Sequence, residues 1–285
     1  MDKRLIITIP HYNNFDGLQA TIQSINEQFE IDIVITDDGS SLKLNEKIII
    51  SSYKNQGKIF FQYLDKNYGV GIAANKCLQF VKKGGYKYMA RLDAGDICYE
   101  NKFMKQLNFL EANHDIKLVG TWARVLDSNR DFLFNIKHPI HHNQIKRKMY
   151  LNSMFVNPTV VFETSILETV PEYPEVYRYA AQDYAFFFKV IKHFKCANMP
   201  EVLLDYIIDS DSISTKKRKL QVTNRIKIII DNFRFGFYPV YGLIRNSILY
   251  FFPPKNSQFR IKSISFFVKN VSVQPKVSPK RYRYN

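Results

Sequence analysis

The stretch YKYMARLDAGDIC, Tyr86 to Cys98, joins a short aromatic run to two carboxylates on a tight turn. Tyr86, Tyr88, Ala90 and Leu92 alternate with Lys87, Met89 and Arg91, a pattern that predicts a buried or half-buried strand. Asp93 falls at the end of that strand, Ala94 and Gly95 permit a sharp turn to Asp96, and a helix is expected from about Glu100. Both carboxylates then lie at the carboxyl edge of a sheet, where open α/β sheets bind ligands. Two acids three residues apart can share a hard divalent cation such as Mg2+ or Mn2+, which prefers oxygen ligands and bridges a nucleotide diphosphate. The same residues also read as an acidic turn with a helix cap.

The flanking sequence supports a sheet of this kind. Leu5 to Ile9 is a β-branched run ended by Pro10, and Phe15 to Gln28 sets Phe15, Leu18, Ile22 and Ile25 at helical spacing. Ile31 to Thr36 predicts a second strand, again followed by acids, Asp37 and Asp38, which read either as a cap with one solvated acid or as ligand-binding groups. Lys58 to Leu64 predicts a third strand. The turn Asn67 to Gly71 leads into a helix through Val81 that Gly84 and Gly85 should close. It lacks both the GxGxxG and the GxxxxGK[ST] spacing, so a structural turn stands beside a phosphate cradle as its reading. Strands alternating with helices predict βαβ units and an α/β fold with a mostly parallel, Rossmann-like sheet.

In the second half, Glu100 to Ala112 predicts an amphipathic helix, and Leu118 to Leu126 a strand with Trp122 in the core. His138, His141 and His142 surround Pro139 without metal-ligand spacing, so a solvated loop is expected. Asn157 to Phe162 predicts a strand, Ala180 to Phe194 a helix with Asp183 near its start, and Val202 to Ile208 a strand, with Asp209, Asp211 and Ser212 closing the body. An acid in a first helical turn meets the helix dipole, or serves as a base if it faces a cleft where burial raises its pKa towards working pH.

The 285 residues, 46% hydrophobic, suffice for one large α/β domain with a further segment. Three scattered cysteines fit neither a disulfide framework nor a zinc site, and point to a reducing compartment. The apolar run before Pro10 is too short for a signal peptide or a spanning helix, so a cytoplasmic catalytic part is expected. The net charge of +15 is localised: from Lys216 onward there are 16 Lys and Arg against one acid, Asp231, while residues 1–215 hold 25 bases and 25 acids. That step divides the chain into a body, 1–215, and a basic, aromatic-rich helical tail, 216–285. Residues 235–254 are about long enough to span a bilayer, but Pro239, Arg245 and Asn246 interrupt them. Lying in the interface is easier, with aromatic groups at the headgroup boundary and bases on anionic lipid. An aromatic helical subdomain packed on the body is the other reading.

Together these residues resemble the family 2 glycosyltransferases of bacterial surface polysaccharide synthesis, with the GT-A fold, over about residues 1–215. ITIPHYNN is similar to the family's opening strand and turn, which places Pro10, Tyr12 and Asn13 at the donor site. VITDDGSS resembles its nucleotide-binding DDGS, implying that Asp37 and Asp38 bind uracil and ribose. NYGVGIAANKCL resembles an element beside the donor, implicating Gly69 and Asn75. RLDAGD resembles the metal-binding DxD region, placing Arg91 and Asp93 with the donor and Asp93 and Asp96 on a divalent metal, Mn2+ or Mg2+; Gly95 stands where a second acid is usual. AAQDYAFFFKV resembles the family's base-bearing helix start, making Asp183 the implied general base, with Gln182 where Glu is common. Ile207 and Asp209 stand where Arg and His often occur.

The implied function is inverting transfer of a sugar from a nucleotide-sugar donor, UDP-linked by the resemblance, to a saccharide or lipid-linked glycan. The implied location is cytoplasmic, with the tail on the anionic inner face of the cell membrane. Displacement at an anomeric carbon needs one base and one source of positive charge, roles open to Asp183 and to a metal on Asp93 and Asp96. Two other classes compete. A nucleic-acid-binding protein would use the tail to track phosphates and stack bases, but the neutral body with strand-end acids speaks against it. A nucleotidyltransferase would need a glycine-rich basic loop after the first strand, where this chain has HYNN.

Overall fold

The computed structural model describes residues 4–208 and 217–251. Asp209, Asp211, Ser212, Lys216 and the tail beyond Phe251 lie outside the described residues. Four parallel strands form the first half of the sheet, in the order β3 (Ile59–Tyr63), β2 (Asp32–Asp37), β1 (Leu5–His11) and β4 (Tyr88–Arg91). β1, β2 and β4 are buried along their whole length, on both faces. This corrects the half-buried alternative for the Tyr86 stretch: Met89 and Arg91 are as buried as Tyr88 and Ala90. Alternate residues feed two cores, with Ile6 and Val34 on one face and Leu5, Ile7, Ile9, Ile33 and Ile35 on the other.

Beyond β4 the sheet becomes mixed: β8 (Val161–Glu163) is antiparallel, β6 (Ile116–Leu126) antiparallel to β8, β9 (Lys195–Ile207) parallel to β6, and β5 (Ile97–Cys98) antiparallel to β9. β7 (Phe132–Ile136) forms a hairpin with β6. The strand expected from Asn157 starts only at Val161. Asn157–Thr159 is instead a 3-10 turn, because Pro158 has a fixed φ and no N–H to give a ladder. Trp122, expected in the core, is half-buried and donates from Nε1 to the His138 carbonyl at 3.0 Å.

Helices α1 (Phe15–Gln23), α2 (Glu46–Ser52) and α4 (Lys102–Ala112) cover one face; α3 (Val70–Gly84) and α7 (Gln182–His193) cover the other. The short α5 (His142–Lys148) and α6 (Ile166–Thr169) complete the connections. α1 stops at Gln23, short of Gln28, where the Ser24 hydroxyl caps the Thr21 carbonyl and accepts the Cys98 N–H. α3 ends as expected, with Gly85 left-handed at φ 70.

Two described tail helices, α8 (Arg218–Asp231) and α9 (Phe237–Phe251), pack on the body. Ile228 and Ile229 of α8 share the core that holds Phe187 and Ile191 of α7, so the charge step is not a break in packing. In α9, Gly242 lies against the Tyr150 carbonyl, where an added Cβ would stand 2.1 Å from the oxygen. The opposite side of α9 exposes Phe237, Tyr241, Ile244, Ile248 and Phe251 at spacings of four and three residues. Among the described residues, no helix is long and apolar enough to cross a membrane.

Candidate active site

The carboxyl ends of β1, β2 and β4 meet at one edge, and register decides which side chains are neighbours. His11 pairs with Asp37 across β1 and β2. His11 Nδ1 lies 2.7 Å from Asp37 Oδ2, and its Nε2 lies 3.2 Å from the Asn14 backbone nitrogen. Since an N–H already points at Nε2, that nitrogen is the acceptor and the proton sits on Nδ1, donated to Asp37. Asp37 also accepts from the Ser40 N–H and hydroxyl, at 2.8 and 2.7 Å. Asp38 accepts from the Tyr68 and Gly69 N–H groups, both at 2.9 Å; burial pushes its carboxyl up, and those two bonds oppose the rise.

Both aspartates are therefore buried and committed to protein donors at the carboxyl end of β2. Pro10 lies buried opposite Thr36, whereas Tyr12 is exposed at the rim. Asn13, left-handed at φ 47, accepts from the Ser41 N–H and hydroxyl, tying the turn after β1 to the turn after β2.

At the end of β4, the guanidinium of Arg91 is 1% exposed and must find a partner. It donates twice to Asp93 Oδ1, at 3.1 and 2.6 Å, while the Asp93 side chain itself stays 39% exposed. Gly95 holds the turn at φ 117, and its N–H donates to the Thr21 hydroxyl of α1, which in turn donates to the Asp96 carbonyl at 2.8 Å. Asp96 faces inward: Oδ1 accepts the Ile207 N–H at 3.2 Å, and Oδ2 is buried without a hydrogen bond. Burial, then the charge of Asp93, raises its pKa well above the usual carboxylate range. The buried Lys102 ammonium stands over the Phe103 ring, and burial brings its pKa down to about 8.

Asp183 lies in the first turn of α7, two residues after Ala181, which is left-handed at φ 64. It is half-buried; burial raises its pKa first, the Tyr184 backbone N–H opposes the rise, the charge of Asp93 adds to it, and Arg225 of α8 and Arg91 oppose it. The segment leading to it runs back across the start of α3. Gly71 donates to the Arg178 carbonyl at 2.9 Å, and a Cβ on Gly69, which has φ 101, would stand 2.7 Å from the Tyr179 ring. The glycines thus serve close backbone approach. Asn75 does not turn its amide to the cleft: at 5% exposure it exchanges two hydrogen bonds, 2.9 and 2.8 Å, with the Tyr173 backbone, and so anchors this segment.

The fold therefore brings Asp93 within electrostatic reach of both Asp96 and Asp183, and the Tyr206 hydroxyl of β9, pushed up first by burial, is pushed further by the charges of all three. Pro10, Tyr12, Asn13, Asp37, Asp38 and Gly69 line the adjoining β1–β2–α3 edge, with Asn75 behind it. Sequence reasoning missed His11, Thr21, Tyr173, Tyr206 and Arg225, whose roles depend on partners far along the chain; only the strand-end position of His11 carried a signal.

Among the described residues, no group of three or more His, Cys, Asp or Glu forms a ready cage for a metal ion. One exposed carboxylate beside one buried, orphaned carboxylate oxygen fits a cation that draws its remaining ligands from a diphosphate and water. The three histidines are no such site, and the solvated loop expected of them is corrected: His138 is half-buried, with burial bringing its pKa down to about 4, and His142, also half-buried, opens α5 and accepts the Cys196 N–H on Nδ1 at 3.3 Å.

The family described as Glycosyl transferase family 2 matches residues 6–170 of this chain. The chain is 30% identical over 231 residues to an uncharacterized glycosyltransferase of Methanocaldococcus jannaschii, covering 77% of each. It is 28% identical over 192 residues to the UDP-Gal:alpha-D-GlcNAc-diphosphoundecaprenol beta-1,3-galactosyltransferase of Escherichia coli, covering 67% of this chain and 66% of that one. Its fold is similar to S. aureus TarS 1–349 in complex with UDP-GlcNAc, with a TM-score of 0.66 at 16% identity over 91% of this chain and 76% of the other. It is also similar to the mannosyltransferase PcManGT from Pyrobaculum calidifontis in complex with GDP-Man and Mn2+, with a TM-score of 0.60 at 12% identity over 97% and 77%. At these identities the structural likeness speaks to the fold, and it bears out the GT-A architecture.

Proposed function

This chain belongs to glycosyl transferase family 2, and from that premise we propose that it is an inverting glycosyltransferase that moves a sugar from a nucleotide diphosphate, UDP by preference, to a lipid-linked or saccharide acceptor of surface polysaccharide synthesis. The observation that carries the reading is the placement of a half-buried carboxylate, Asp183, with its pKa raised, beside the strand-end Asp93. The diphosphoundecaprenol acceptor named for the Escherichia coli relative supports the acceptor class.

In this reading the nucleoside lies along the β1–β2 edge, over Asp37 and Asp38, with Pro10, Tyr12 and Asn13 around it. Gly69 lets the 178–179 segment close on the start of α3, and Asn75 fixes that segment from behind. The acceptor hydroxyl donates its proton to Asp183 as its oxygen bonds to the anomeric carbon, and the diphosphate departs from the opposite face with the bonding pair. A single base opposite the leaving group inverts the centre. Arg91, buried and always charged, holds Asp93 in place. A divalent ion would be held by Asp93, with Asp96 as second ligand, and would supply Lewis-acid neutralisation of the leaving diphosphate. The GDP-Man and Mn2+ named for the mannosyltransferase support that role.

The exposed stripe of α9 and the basic excess of the tail support a peripheral seat on an anionic membrane, the cytoplasmic face in this reading, where lipid-linked acceptors lie. The test is release of nucleoside diphosphate from UDP-, GDP- and CDP-sugars, with and without Mn2+ and lipid-linked acceptors. Turnover of one UDP-sugar is expected; binding of none, at any metal concentration, overturns the assignment.

A further inference from the structure

Helix α8 belongs by its sequence to a basic membrane tail, yet it meets the catalytic segment directly. Asn224, in mid-helix and 5% exposed, donates from Nδ2 to the Ala180 carbonyl at 2.9 Å. Seven residues on, Asp231 accepts the Tyr177 hydroxyl at 3.1 Å. The segment between those two contacts carries Arg178 and Tyr179, which pack on Gly69 and Gly71, and it ends in the turn that presents Asp183.

The geometry of that turn gives the Asn224 bond a particular consequence. Ala181 has φ 64, a conformation that an alanine holds only when its surroundings enforce it. The plane of the peptide joining residues 180 and 181 is set jointly by ψ of Ala180 and φ of Ala181. Flipping that plane would return Ala181 to negative φ and swing the Ala180 carbonyl away from Asn224. Ala181 has no side chain able to cap α7, and Asp183 follows two residues later. A flip would therefore re-aim the first turn of the helix.

We propose that Asn224 is a positioning residue for sugar transfer: its amide locks the 180–181 peptide plane, and through it the left-handed Ala181 turn that aims Asp183 into the cleft. This rests on the reading of Asp183 as the base. α8 is then a wall of the active site, and the helix that leads to the exposed stripe of α9 also fixes the reacting carboxylate.

The test uses the full chain. Asn224→Leu keeps the volume and removes the donor; Asn224→Ala replaces it if the leucine variant lacks a cooperative melting transition. Expected are a kcat lower by about tenfold or more, a donor KM within about twofold of wild type, and an acid limb of kcat/KM moved to lower pH, because an Asp183 freed from its buried turn returns towards the ordinary carboxylate value. Adding Ala181→Gly, which takes positive φ without strain, should recover much of the lost kcat, a non-additivity that loss of packing alone would not produce. Unchanged kcat and pH profile in a folded variant overturn the proposal, and so does a loss that Ala181→Gly fails to reduce.

Hydrogen–deuterium exchange over residues 178–186 reads the lock without turnover. It should rise in the single variant and fall back in the double; no rise overturns the lock. Asp183→Asn with full transfer alongside the expected exchange would instead leave the lock standing and remove the base assignment.

Discussion

His11 and Asp37 form a buried pair in which the histidine is fixed as the Nδ1–H tautomer, because its other nitrogen accepts the Asn14 N–H. A side chain without both functions cannot replace it. His11→Phe leaves a buried Asp37 oxygen one donor short and strips the Asn14 amide of its acceptor, at a cost of about 1–3 kcal/mol. Urea unfolding at neutral pH measures the loss, and nucleotide affinity should fall with it, because the loop after β1 and the Ser40 turn share these bonds. A midpoint equal to wild type would contradict the network.

Asp183→Asn should lower kcat by about a hundredfold or more and leave nucleotide binding nearly unchanged, as read by donor calorimetry. In wild type, the acid limb of kcat/KM should lie above the ordinary carboxylate range, since activity falls as pH drops through a raised pKa. The same shift fixes the sign for stability. A carboxyl whose folded pKa is raised binds more protons folded than unfolded, so stability falls as pH rises from the unfolded value through the folded one. At neutral pH the asparagine variant should therefore melt higher than wild type, with the gap closing in acid.

Three glycines separate strain from space. Gly69→Ala meets both, a positive φ and the Tyr179 ring at 2.7 Å, and should cost about 2 kcal/mol or more. Gly85→Ala has a positive φ but nothing within 4 Å, and should cost about 1 kcal/mol. Gly95→Asp restores the second acid of the family pattern and has room, its nearest neighbour being Asn14 Nδ2 at 3.6 Å, yet φ 117 should cost it about 1–2 kcal/mol. Denaturant titration of the three variants checks this order.

Ile244→Asp with Ile248→Asp places two charges on the exposed stripe of α9 and touches none of the contacts made by Gly242, Arg245 or Asn246. Flotation with vesicles containing anionic lipid should show binding lost, while turnover on a water-soluble acceptor stays within about twofold of wild type. Undiminished vesicle binding would place the membrane contact elsewhere.

The first half of the fold is legible because strands buried in the sheet leave short, mostly apolar runs: Leu5 to Ile9 lies within β1, Ile31 to Thr36 overlaps β2 with a one-residue offset, and Tyr86 to Leu92 contains β4. Periodicity has nothing to work on in Ile97–Cys98 or in the seven-residue α2, and neither is visible in the sequence. Nor can local sequence show that Asp96 turns inward to the Ile207 N–H, or that Asn75 spends its amide on Tyr173, 98 residues away. The aliphatic run Ile226 to Ile230 belongs to a tail whose sequence allows either a membrane seat or packing on the body. Two of its members, Ile228 and Ile229, complete the core beneath α7.

That last contact bears on the order of synthesis. The sheet edge that holds Asp37, Asp38 and Asp93 is complete in the chain before α8 has been made, whereas the turn carrying Asp183 waits for Asn224 and Asp231. A ribosome therefore delivers the acid-bearing sheet edge first and the helix that braces the turn before Asp183 later. A chain cut short at the change in charge would lose the clasp that Asn224 and Asp231 make.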